Sequence, residues 1–163
     1  MSSQQPVVSW IVRLLLLVNM DPFSLTVGAL SIVGISVGTC AKILHDIRGK
    51  YKNAGLTIAS MTTECVTIQT ALCQIESLTE KDPELFLSRL EVRPDLKSAL
   101  DTAITGCTTT FAVLEDELHK LADESTRKGK IQYLWNENTM RELLSQIRSQ
   151  YSAISFLMMA IQR

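Results

Sequence analysis

The chain has few of the residues that interrupt helices. Only 7 glycines and 4 prolines punctuate 163 residues, which disfavours a fold of many short strands and turns. It also lacks an excess of either charge: the formal net charge is −1, with acids and bases interspersed. A nucleic-acid binder needs a basic face to neutralise phosphates, and none is visible here. The 4 cysteines (Cys40, Cys65, Cys73 and Cys107) form no C-x-x-C pair, and the 2 histidines, His45 and His119, stand at no paired metal-ligand spacing. Reduced cysteines packed in a core are expected, and no metal site. There is no N-x-[ST] sequon. An intracellular, cytoplasmic protein fits these absences better than a secreted one.

Catalytic motifs are missing as well. Gly49-Lys50 and Gly129-Lys130 lack the earlier glycine and the following Ser or Thr of a P-loop, and both read as turns. No G-x-S-x-G, H-E-x-x-H or G-x-G-x-x-G occurs. Glu115-Asp116-Glu117 are consecutive, so on a helix they point in different directions and read as a solvated face. The expectation is a protein that is not an enzyme, with no cofactor and no small-molecule substrate.

What the chain does have is apolar residues, 46% of the total against 20% charged. One domain of this length can bury a core without disulfides. From Met20 onward the apolar residues recur at alternating spacings of three and four. The first segment reads Leu30, Val33, Val37, Cys40, Leu44, Ile47. The second reads Ile58, Met61, Cys65, Ile68, Leu72, Ile75. The third reads Leu100, Ile104, Cys107, Phe111, Leu114, Leu118, Leu121. The fourth reads Met140, Leu144, Ile147, Tyr151, Ile154, Met158, Ile161. Such spacing gives a helix a narrow apolar seam, and four seams predict an all-α fold, an antiparallel four-helix bundle.

The breaks fall between the seams. Gly49 and the Asn53-Ala54-Gly55 turn end the first segment. Asp82-Pro83 starts a short helix over Glu84–Leu90, and Pro94-Asp95 opens the third segment. Ser125 to Lys130 reads as a loop, and Asn136 as an N-cap, with Trp135 and Met140 placed as a hydrophobic staple. Thr108-Thr109-Thr110 beside Gly106 is poor helix material, to be overridden by tertiary packing or kinked.

Two stretches stand apart. Residues 1–19 carry an apolar run, Val7 to Val18, interrupted by Arg13. The run has no preceding basic residue or cleavage site and is short for a membrane span. It reads as an additional apolar N-terminal helix, an extension ahead of a functional start at Met20. The competing reading is an amphiphilic anchor helix. Residues 20–163 then form the single bundle domain. Within it, Phe23 to Ala41 carries no charge and holds Gly28 and the G-x-x-x-G pair Gly34 and Gly38, with Lys42, Arg48, Lys50 and Lys52 behind it. It reads either as the central helix of a soluble bundle or as a membrane-entering helix.

Met20-Asp21-Pro22-Phe23-Ser24-Leu25, the Gly/Ser-rich apolar helix after it and the long second helix resemble the N-terminal domain of fungal STAND-type, NLR-like proteins. That family is often named after protein L of an azaphilone pigment biosynthesis cluster. The closing segment is similar too: a Gly-Lys turn, Trp135, then Met140, Leu143, Leu144, Ile147 and Ile154. The resemblance spans roughly residues 20–162 and rests on patterns of residue type. It implies a helical signalling module that precedes a nucleotide-binding module, distantly similar to HeLo-like domains, some of which attack membranes with their first helix. It offers no catalytic residue. The partners it implies are another protein or a second copy, bound through helices, and alternatively membrane lipid. The candidate association helix is carried by Phe23, Gly28, Leu30, Val33, Gly34, Val37 and Gly38. The candidate bundle core comprises Leu44, Ile47, Met61, Ile68, Leu72, Ile75, Ile104, Phe111, Leu114, Leu118, Trp135, Leu144, Ile147 and Ile154. Whether the chain is a free-standing effector or a fragment of a receptor stays open.

Overall fold

The computed structural model describes residues 22–123 and 135–163. The expectations for residues 1–19, for Met20 and for the loop Ser125–Lys130 lie outside the described residues, as does the side chain of Phe23. Among the described residues the chain is all-helical. Its elements are α1 (Pro22–Ile47), a 3-10 turn (Lys52–Ala54), α2 (Gly55–Lys81), α3 (Pro83–Val92), α4 (Pro94–Ala122) and α5 (Glu137–Gln162).

The helix starts follow from local chemistry. Asp82 caps α3 by accepting from the Leu85 amide at 3.0 Å, with Pro83 in the first turn. Pro94 opens α4. Asn136 caps α5 through the Thr139 amide at 3.2 Å. The expected Asn53-Ala54-Gly55 turn is a 3-10 turn, and Gly55 sits at φ −55°, ψ −36°, where that turn runs into α2.

Threonines within the helices bond back to their own backbone. Thr62, Thr63, Thr67 and Thr70 of α2 each donate to the carbonyl four residues earlier. Thr102, Thr105, Thr108 and Thr109 of α4 do the same. This is how Thr108–Thr110 is accommodated in an uninterrupted α4: the first two hydroxyls are satisfied locally, and Thr110 is buried.

Pairwise contacts place α1 against α2 and α4, and α5 against α2 and α4; α3 leans on α2 and α4. Ser31 meets Glu76 and Gly38 meets Gln69, so α1 and α2 run in opposite directions. Thr57 meets Glu137 and Glu64 meets Arg148, so α2 and α5 run the same way. Leu96 shares a cleft with Ala160, and Gly106 touches Gln150, so α4 opposes α5. It follows that α1 and α4 run in the same direction, and Lys50 and Tyr51 duly reach the Leu121 carbonyl at the end of α4. Successive helices are therefore antiparallel within each hairpin, but α2 and α4 make little direct contact. The intervening α3 carries the chain across the end of α2, which a short loop could not do.

All residues of the first three seams are buried. In the fourth, Met140, Leu144, Ile147, Ile154 and Ile161 are buried, whereas Tyr151 and Met158 are only half-buried and Leu143 and Leu157 lie inside. Between buried Ile154 and Ile161 the inner stripe steps by three and then four, through Leu157, rather than by four and then three, through Met158. Trp135 is half-buried against the core. Cys73, expected inside, is exposed. It follows Leu72 by one residue, which turns it about 100° away from the seam.

The helix ends are tied by cations. Lys50 donates to the Leu121 carbonyl of α4, Arg89 of α3 donates to the Ile161 carbonyl, and Arg93 reaches the Ala160 carbonyl at 3.5 Å. These satisfy last-turn carbonyls and complement the negative end of each helix dipole.

Phe111 is fully enclosed, whereas Phe156 is 66% exposed on the outer side of α5. Phe111→Ala should therefore cost about 3–5 kcal/mol in chemical denaturation. Phe156→Ala should change stability by less than about 0.5 kcal/mol. Equal effects would contradict this core.

Candidate functional site

Two places differ from an ordinary bundle surface. The first is the outer side of α1. Its inner stripe buries Leu30, Val33 and Val37, so these candidate association residues belong to the core. Gly28 is half-buried. The G-x-x-x-G pair divides. A Cβ at Gly38 would meet the Gln69 side chain at 2.7 Å, which marks a close approach of α1 to α2, while a Cβ at Gly34 would meet nothing within 4 Å. Gly34 thus opens onto solvent beside Ile35, which is 59% exposed, and half-buried Ile32. The six candidate residues whose side chains are described do not share one face. The apolar surface is made by Ile32, Gly34 and Ile35, of which the isoleucines went unrecognised because they lie off the seam. The lack of charge from 23 to 41 was the available signal, since such a helix is apolar all round.

Val27–Ile47 has a mean hydropathy of 1.8, yet only 33% of its most apolar window is buried. It is long and apolar enough to cross a membrane, and it equally suits a soluble protein. Its flanks are tied by hydroxyls: Ser31 donates to Glu76 of α2, and buried Ser36 donates to Glu115 of α4 at 2.7 Å. Thr39 donates to the Ile35 carbonyl at 3.0 Å.

The second place is the far end of α1, where four chain segments meet. Tyr51 and Trp135 pack with ring centroids 5.9 Å apart at 41°. Lys50 lies 5.1 Å from the Tyr51 ring centroid, and the Tyr51 hydroxyl donates to the Leu121 carbonyl at 3.3 Å. Glu137, the first residue of α5, accepts from Thr57 at 2.6 Å, from Arg141 at 2.7 Å and from the Trp135 indole at 2.7 Å. These donors, Thr57 first, hold its carboxyl down at about 2. Beside this junction lies a cleft of about 750 Å³ walled by Lys50, Tyr51, Lys52, Asn53, Trp135 and Arg141. Trp135, Asn53 and the two lysines were noticed in the sequence; Tyr51 lies between those lysines, and Thr57, Glu137 and Arg141 are brought in by α2 and α5.

Burial pushes the Cys65 and Cys107 thiols up to about 12, and raises Cys40 further with help from Cys65 and Glu115. Those thiols stay protonated at neutral pH and are poor nucleophiles. The three consecutive acids Glu115, Asp116 and Glu117 each approach a base on the next turn of α4. Asp116 and Glu117 pair with Lys120 at 2.6 and 2.9 Å, raising its pKa, and Glu115 approaches His119 at 3.6 Å. Among the described residues, no three His, Cys, Asp or Glu side chains group as a metal site would.

No family profile, curated protein or solved structure matches the chain.

The Glu137 carboxylate is depressed by the fold, so its stabilising effect is fully present above its ordinary value of 4.5 and is lost as pH falls toward about 2. Melting curves across this interval should show wild type losing stability, and Glu137→Gln should be less stable at neutral pH but less sensitive to acid. Parallel pH profiles for the two proteins would refute the role given to Glu137.

Proposed function

We propose that this chain is a non-enzymatic interaction module that acts by helix–helix association, of the kind found at the N-terminus of fungal STAND receptors. We read its four long helices as a HeLo-like four-helix bundle. The observation that carries the reading is the uncharged outer side of α1, where Ile35 and the open surface at Gly34 lie uncovered. An apolar helix left bare on one side gains free energy by burying that side, at roughly 25 cal/mol per Å². A partner helix gives it that cover, and Gly34 would let the partner's backbone come close. The residue types that recur in the resemblance, from Met20 to Leu25 and around Trp135, support the same assignment.

Ile35→Lys replaces an exposed side chain and should leave the melting temperature nearly unchanged. It should weaken self-association, or capture of the partner protein, by roughly tenfold or more in sedimentation or pull-down measurements. A wild-type protein that stays monomeric at all concentrations and recovers no partner would end this reading.

The hydropathy of Val27–Ile47 favours a second reading, a membrane-active effector that stores α1 in the bundle and releases it. Purified protein would then leak dye from anionic liposomes, and Gly34→Glu, which has room for its side chain in the bundle, would abolish leakage without unfolding the protein. Vesicles that remain intact in every lipid composition, before and after activation, would eliminate it.

A further inference from the structure

The cleft beside Tyr51 and Trp135 has a charge balance unlike that of the whole chain. Its walls bring together the cations of Lys50, Lys52 and Arg141 against one acid, Glu137, in a protein whose net charge is −1. That one acid is already saturated by hydroxyl, guanidinium and indole donors. Glu137 therefore takes up little of the remaining cationic capacity. Instead it fixes Arg141 through Nε alone and leaves the two terminal guanidinium nitrogens for another acceptor. Lys50 has spent one donor on the Leu121 carbonyl. Lys52 is exposed and pairs with no acid among the described residues. Between Lys42 and Thr63 the only acid is Asp46, so the wall contributed by the turn is locally basic. The exposed Asn53 side chain adds an amide donor on the same wall.

We propose that this cleft binds a phosphate-bearing ligand, with Lys52 and Arg141 contacting the anion and the Tyr51–Trp135 pair flanking it. A carboxylate would be matched by one guanidinium. A phosphate, with more charge and three free oxygens, uses several cations and an amide together. The cleft volume lies in the range of small-ligand sites. The phosphate has two sources, a soluble phosphorylated molecule or the headgroup of a lipid. Leu56, 88% exposed, lines the adjoining groove that shares Arg141, and would enter the hydrocarbon if the headgroup is the source. The site is independent of the association surface on α1, so either can fail alone.

Trp135 reports on the cleft directly. In a Trp10→Phe background it is the sole tryptophan of the 2 in the chain. Its emission should change saturably on titration with pyrophosphate, and in parallel with vesicles of phosphatidylcholine containing phosphatidylinositol 4-phosphate. Lys52→Glu should weaken binding at least about tenfold with an unchanged melting temperature, and Arg141→Gln should weaken it similarly while also giving up part of the stability that Glu137 contributes. Lys97→Glu, on α4 and away from the cleft, should have no effect. Binding of pyrophosphate unaffected by Leu56→Asp assigns the site to a soluble ligand. Binding to vesicles alone, lost in Leu56→Asp, assigns it to a headgroup. A Trp135 signal that responds to neither probe, or binding that Lys52→Glu leaves intact, overturns the proposal.

Discussion

Every other feature depends on the mutual burial of four apolar seams, because no single helix here can hide its own. Phe111, Leu72, Ile68 and Cys40 are wholly enclosed, each on a different turn of α1, α2 or α4. Losing any one layer would leave the facing side chains without close-packed neighbours. The constraint weighs most on α1. With no charge between residues 23 and 41, this helix is apolar on the side facing the bundle and on the side facing away. The bundle buries only the first. What remains bare sets the question of function, since a surface of this kind is stable only if small or if something else covers it.

The polar contacts around α1 serve that arrangement. Serines 31 and 36 lend hydroxyls to carboxylates of α2 and α4, fixing α1 from both sides without placing a charge on it. At its far end the chain turns through Lys50 and Tyr51, which close the end of α4, while Glu137 gathers donors from α2 and α5. The same turn that ends the apolar helix thus becomes the basic wall of a cleft. The bare apolar face lies along α1, and the cleft lies beyond its end, where the turn after α1 meets the start of α5.

The seams were legible because burial in a helix repeats every 3.6 residues, and that period survives in the order of residue types whatever the helices pack against. The capping residues Asp82, Pro83, Pro94 and Asn136 were legible for a related reason: they act within a few positions of themselves. Cys73 and the outer isoleucines of α1 were harder. Their types suggest a core, and only the phase of the helix sends them outward. The choice of Leu157 over Met158 is of the same kind: between buried Ile154 and Ile161 either residue continues the three-four count, and only the packing selects one.

The order of the chain by itself determined the helices, their ends and nearly all of the inner stripe, since each is set by local sterics, hydrogen bonding and periodic hydrophobicity. Only the tertiary structure decided which helix lies beside which, that α1 and α4 run in parallel, and that Thr57, Glu137 and Arg141 converge on Trp135 and Tyr51. Those outcomes turn on how α3 carries the chain across the end of α2 and on long-range packing of surfaces many residues apart. No window along the sequence contains both partners of such a contact.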